Sequence, residues 1–148
     1  MTDAASRFVY VTYIRTTPEQ LWSALTTTDV IARFWFGMTL RTDWTRGAAW
    51  QLVFQDGRIA DGGEILEFDP PKRLVLAWRN EWNPEFKAEG VGTCTIELEP
   101  AEGAVKLTVH HAMQPAESRF IGAVAGGWPK ILSNLKSLLE TGEVALKG

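Results

Sequence analysis

Apolar positions along the chain switch between two spacings, and the switches mark the elements. From Arg7 to Ile14, β-branched and aromatic side chains crowd together, with Phe8, Val9, Tyr10, Val11, Tyr13 and Ile14 in one run. That composition favours a strand. Leu21, Trp22 and Leu25 then share one helical face. Thr17-Pro18-Glu19-Gln20 marks where that helix starts. Thr17 can cap it, Pro18 suits its first position and Gln20 completes a capping-box pattern. A second short helix is expected from Asp29 through Val30, Ile31 and Phe34, ending near Phe36-Gly37.

From Met38 the period becomes two, as in half-buried strands. The expected strands are Met38–Thr42, Ala48–Phe54, Arg58–Phe68, Leu74–Asn80, Val91–Glu99 and Val105–His111. Turn chemistry separates them. Asp56-Gly57 signals a hairpin. Asp69-Pro70-Pro71 cannot continue a ladder, because two prolines lack donors. Pro100–Ala104 makes the last turn, and Glu81–Glu89 reads as a loop. Gly62-Gly63 suggests a bulge or bend within its strand.

Pro115–Gly142 returns to helical spacing. Ile121, Val124, Trp128, Ile131, Leu135 and Leu138 form one broad apolar face, flanked by Phe120, Leu132 and Leu139. Gly126-Gly127-Trp128-Pro129 interrupts it. Pro129 removes one hydrogen bond, so the helix either kinks there or splits, with Pro129 opening a new one. The spacing runs through the break, which favours one kinked helix. A meander of strands has one apolar face to bury, and this helix has one to offer. The expected fold is therefore α+β: a curved antiparallel sheet of roughly six to seven strands wrapped around the C-terminal helix, with two short helices after the first strand.

A chain of 148 residues fits a single domain, 1–148. Seven Trp and seven Phe are many for this length, and they suit both a core and a pocket lining. A net charge of −3 without a basic stripe argues against nucleic acid or an anionic membrane surface. No apolar run approaches the ~18 residues of a membrane span. The single cysteine, Cys94, cannot form an internal disulfide, which suits a reducing compartment. Met1–Arg7 has no charged segment followed by an apolar run, as a signal peptide would. The expected setting is cytoplasmic. Two His and one Cys supply too few ligands for zinc, and no cofactor motif stands out.

Several stretches together resemble the SRPBCC superfamily, the START-like or helix-grip proteins. They are Thr17-Pro18-Glu19-Gln20-Leu21-Trp22-Ser23-Ala24-Leu25, Ala32-Arg33-Phe34-Trp35, Gly63 to Leu74, Trp78, Leu107-Thr108-Val109-His110-His111, and Gly127-Trp128 leading to Leu138-Leu139-Glu140. Within the superfamily the chain is most similar to the branch named after the activator of the heat-shock chaperone ATPase. The resemblance implies a sheet gripping a C-terminal helix, with a cavity between them. Superfamily members bind lipids, hormones or polyketides. A few catalyse cyclisation or dehydration, some act as co-chaperones and members are often dimeric. A homodimer or a chaperone-type partner therefore stays open. No catalytic motif runs through the superfamily, so none carries over.

Strand alternation selects candidate site residues. Cys94, Ile96 and Leu98 share one face, as do Val105, Leu107, Val109 and His111. Pairing these strands places Cys94 opposite or diagonal to His111, with Cβ atoms about 5 to 8 Å apart. Trp50, Leu52 and Phe54 form another inward set, and Leu74, Leu76 and Trp78 a third. A ligand would be expected between Phe120, Val124 and Trp128 of the helix and Trp78, Cys94, Ile96 and His111 of the sheet. Trp35, Trp50, Phe54 and Leu66 complete the expected lining.

The expected ligand is an apolar small molecule, lipid- or polyketide-like, in a closed pocket of roughly 300 Å³ or more. A protein-interaction role through Trp82 and Phe86 ranks second. A cyclase, dehydratase or hydrolase using His111, with Cys94 or Glu64, ranks third. Glu64 and Glu67 fall on opposite faces of their strand, so one should point inward unless the glycines bulge it. Asp61, at the bend, reads as a solvated turn residue.

Overall fold

A computed structural model describes residues 5–147; Met1–Ala4, part of the stretch read for a signal peptide, lie outside the described residues. The chain opens with β1 (Ser6–Ile14), α1 (Pro18–Thr26) and α2 (Thr28–Phe34). Then come β2 (Thr39–Thr42), β3 (Ala49–Val53), β4 (Ile59–Asp69), β5 (Arg73–Asn80), α3 (Pro84–Ala88), β6 (Gly92–Ala101), β7 (Ala104–Met113) and α4 (Arg119–Thr141). All seven strands join one antiparallel sheet in the order β1-β7-β6-β5-β4-β3-β2. The curved sheet wraps α4, which makes this the expected α+β helix-grip fold.

Local chemistry accounts for the boundaries. The Thr17 side chain accepts from the Gln20 N–H at 3.2 Å, with Pro18 at the first helical position. At the β6–β7 turn Ala101 pairs with Ala104, so only Glu102 and Gly103 lie outside the ladder. Both have positive φ, which gives the primed turn that two-residue hairpins need. The Glu81–Glu89 stretch is not wholly a loop. Asn83 accepts from the Glu85 N–H and caps the short helix α3.

The bulges of β4 lie beside the glycines rather than at them. Gly62 and Gly63 pair regularly with Arg79 and Trp78. Ala60 is the extra residue against β3, and Leu66 the extra residue against β5. An extra residue reverses which face later side chains take. Ile65 and Phe68 can therefore both turn inward although their numbers differ by an odd step. Glu64 and Glu67 are both exposed as a result, and Glu67 pairs with Arg73 at 3.1 Å. Neither glutamate enters the interior.

Helix α4 runs unbroken through Pro129, so the split-helix alternative does not hold. Ser118 caps its start, accepting from the Ile121 N–H at 3.1 Å. Gly142, in the left-handed region, ends it by donating to the Leu138 carbonyl. Phe120, Ile121, Trp128, Leu132, Leu135 and Leu138 face the sheet and are buried. Each such side chain contributes about 1.5–3 kcal/mol on burial, far more than helix propensity can. Asn134, also fully buried, donates to the Leu146 carbonyl and accepts from its N–H, fixing the C-terminal tail.

Two glycines test this packing in opposite directions. A Cβ on Gly63 would lie 1.8 Å from the Ala77 carbonyl oxygen, which also accepts from the Trp50 indole. A Cβ on Gly126 would meet nothing within 4 Å. Gly63→Ala is expected to destabilise by about 1–3 kcal/mol. Gly126→Ala should stabilise by about 0.5–1 kcal/mol, because glycine in a helix interior costs entropy. Urea unfolding midpoints check both signs.

Candidate functional site

The space between sheet and helix is not one closed pocket. Deep in the grip, Trp35, Trp50, Leu76, Ile96, Val109 and Leu132 surround a void of only 30 Å³. It is apolar and holds no ligand-sized molecule. At one end of the grip a half-open cleft of 340 Å³ lies between the ends of β3 to β5, α3 and the first half of α4.

Six of the expected residues meet in this cleft: Trp35, Phe54, Trp78, Phe120, Val124 and Trp128. Trp50 and Ile96 line the small void instead, because they sit deeper along their strands. Leu66 lines neither. As the extra residue of a bulge it turns outward and is 41% exposed. Cys94 and His111 also line neither, lying behind the wall.

Cys94 and His111 are direct cross-strand partners, and both are 0% exposed. Burial pushes the Cys94 thiol far above its ordinary range. Burial, reinforced by His110 nearby, pushes His111 down to about 3. Neither environment favours the ions that a thiolate nucleophile and its base require. The Trp128 indole N–H donates to His111 Nδ1 at 3.2 Å. Since indole only donates, neutral His111 carries its proton on Nε2. Nε2 is buried without a partner. The rings of Trp78, Phe120 and Trp128 stand 5.0, 5.4 and 6.3 Å from the imidazole. His111 thus supports the cleft's aromatic wall from behind.

The polar group in the cleft is Asp61. It is only 8% exposed, not a solvated turn residue. Its Oδ1 accepts from the Trp78 indole at 3.0 Å and from the Asn80 amide at 3.1 Å. Asn80 is its direct partner across the β4–β5 ladder. Burial pushes the carboxyl up to about 6, against the lowering effect of those two bonds, and nearby Glu81 adds to the rise. The Asn80 side-chain Oδ1 accepts from the Asn83 N–H at 2.9 Å, which joins this network to the start of α3.

Small side chains keep the mouth open while ion pairs frame it. Ala123 and Gly127 give α4 a low profile there. On the facing side Phe86 packs on Phe120 at 5.8 Å, and Trp82 meets Phe54 edge-on at 6.0 Å. Trp82 remains 51% exposed at the rim. Arg119 pairs with Glu85 at 2.5 Å, and Glu89 accepts from Ser118 Oγ and the Arg119 N–H. These contacts fasten α3 and its following residues to the N-terminus of α4.

A family model for activator of Hsp90 ATPase homolog 1-like proteins matches residues 15–140. The chain belongs to this family. No curated protein matches it. Among solved structures, a Mesorhizobium loti protein is 24% identical, with a TM-score of 0.80, covering 94% of this chain and 100% of that one. The Aha1 dimer of Colwellia psychrerythraea is 18% identical, with a TM-score of 0.75, covering 93% and 98%. An HSP90 activator from Plasmodium falciparum is 24% identical, with a TM-score of 0.73, covering 90% and 96%. At these identities the likeness is one of fold. Among the described residues of this family member, no group of His, Cys, Asp or Glu could hold a metal ion. No described helix is long and apolar enough to cross a membrane.

Asp61 makes stability depend on pH with an uncommon sign. Unfolded, the carboxyl titrates near 3.8; folded, it titrates at about 6. Between those values the folded chain holds the extra proton, so unfolding free energy falls as pH rises. The penalty is absent below about pH 4 and complete above about pH 6, where it approaches 3 kcal/mol. Asp61→Asn is expected to be more stable than wild type by about 1–3 kcal/mol at neutral pH, with the difference closing near pH 4. Urea unfolding at the two pH values checks it.

Proposed function

We propose that the protein binds an apolar, ring-bearing small molecule in the cleft between β3–β5, α3 and α4. The observation that carries this reading is the 340 Å³ cleft itself, within the usual range of ligand sites and lined mainly by aromatic and aliphatic side chains. Trp35, Trp78 and Trp128 supply wall area, and Asp61 and Asn80 supply a few convergent polar atoms. A closed lipid cavity fits poorly, because the deep space holds only 30 Å³. A flat ring entering from the rim suits the open end better. A chaperone-type partner rests on the family's name alone, whereas the cleft is a feature of this chain.

Gly127 supplies the test. It lines the cleft, and a Cβ there would meet nothing within 4 Å. Gly127→Leu should fill the cleft without disturbing the backbone, and helix propensity favours it by about 0.8 kcal/mol. The probe is 1-naphthalenemethanol, followed by calorimetry and by the fluorescence of the cleft tryptophans. Wild type should bind it at one site, and Gly127→Leu should weaken binding about tenfold or more while unfolding no more easily. Binding unaltered by Gly127→Leu, or no binding by wild type, would overturn the reading.

A further inference from the structure

The cleft carries charge information that its size does not. Among the described residues that line it, Asp61 is the one ionisable side chain. Both hydrogen bonds to its carboxyl run to Oδ1, from Trp78 and Asn80. Oδ2 takes neither of them, which leaves it for whatever occupies the cleft. Among the described residues, no lysine or arginine lines the space to neutralise the carboxylate. Nearby Glu81 is itself held by Arg79 at 2.6 Å and Lys87 at 3.1 Å, so those cations are already engaged.

The aromatic wall favours the same sign. Trp35, Trp78, Trp82 and Trp128, with Phe86 and Phe120, surround the space. Aromatic faces attract cations, tryptophan most strongly, and the attraction grows when water is excluded. A carboxylate with a free oxygen among such rings rejects an anionic ligand and accepts an ammonium.

We infer that the ligand of this cleft is an amine: a protonated primary or secondary ammonium held by Asp61 Oδ2, on an aromatic or aliphatic body lying against the tryptophan rings. This rests on the cleft being a ligand site, as proposed above, and names the chemical class it selects. The Trp78–Asp61–Asn80 arrangement then positions the receptor oxygen. Trp78 acts twice, donating to Oδ1 and offering its ring to the ligand's body.

The pH dependence of binding follows from the same carboxyl. The groups that bear on it are Glu81 beyond β5, which stays ionised in its pairs with Arg79 and Lys87, and neutral His111 behind the wall. α4 and β3 present only uncharged side chains to the cleft. Affinity for an ammonium should therefore fall as Asp61 gains its proton near pH 6.

Calorimetry with three probes on one ring system tests this: 1-naphthylmethylamine, 1-naphthalenemethanol and 1-naphthoate. Wild type should bind the amine about tenfold or more tightly than the alcohol near pH 8, with the carboxylate weakest. Amine affinity should drop about tenfold between pH 8 and pH 5, while alcohol affinity stays flat. Asp61→Asn, which keeps an oxygen for Trp78 and Asn80, should bring the amine-to-alcohol ratio to about one. If the alcohol binds wild type and Gly127→Leu blocks it, but the amine gains no preference, the amine assignment fails and the cleft reading stands. If no probe binds, or Gly127→Leu changes nothing, both fail together. The pH titration on wild type decides the matter even should Asp61→Asn fold poorly.

Discussion

The hydrogen bond from the Trp78 indole to buried Asp61 is the contact on which the rest of the site depends. Trp78 sits near the middle of the sheet, and its ring lies within 6.3 Å of those of Trp35, Trp50, Trp128 and His111. That ring is fixed by packing on several sides. Its N–H must nevertheless find an acceptor, since an orphaned donor would cost about 1–3 kcal/mol. Asp61 provides one, at the expense of placing a carboxyl where burial resists ionisation. Either group alone would be a defect in the core. Together they direct a polar oxygen into an apolar cleft from a rigid position.

The cleft exists because the plug is shorter in girth at one end than at the other. Toward its C-terminus α4 presents Leu132, Leu135 and Leu138, and the sheet closes on them almost without voids. Toward its N-terminus it presents Ala123 and Gly127 to the cleft, and a Cβ on Gly127 would meet no atom within 4 Å. Something must still hold the helix against the sheet at this loosely packed end. Ser6 does so from β1, donating to the Pro115 carbonyl and accepting from the Ser118 N–H. Glu89 does so from the residues after α3, using backbone donors that the first turn of any helix leaves free. Polar capping thus replaces apolar packing where room is needed.

Much of this was legible in the chain, and the failures trace to single residues. The inward parity of β6 and β7 is fixed by Cys94, Ile96, Val105, Leu107 and Val109, and the observed pairing of Cys94 with His111 follows from it. The long helix shows in its spacing, and its low profile at the cleft in Gly127. The β4 strand is harder. Inward Ile65 and Phe68 cannot share a regular strand, so an extra residue between them is required, yet nothing in composition marks Leu66 as that residue. Asp61 was within reach: the same parity carries back from Ile65 through Gly63 to Asp61. The adjacent glycines suggest a bend, and a bend suggests solvent. The structure gives those glycines another reason, since Gly63 lets the Ala77 carbonyl approach. The division into a small deep void and an open cleft depends on how far each tryptophan reaches, which no pattern of periods contains.

The two polar groups at the aromatic wall divide their roles by what surrounds them. His111 and Asp61 both touch the ring of a wall tryptophan, and burial pushes each toward its neutral form. For the histidine that displacement is large and unopposed, so it stays uncharged at any physiological pH and acts as an acceptor and a packing surface. For the aspartate, the Trp78 and Asn80 donors offset part of the burial, and the carboxyl titrates at about 6. A side chain serving stability alone would gain by replacement with an amide that keeps the same acceptor, since the charge is what costs energy there. The carboxylate lines the cleft, which is where the proposed ammonium would meet its charge.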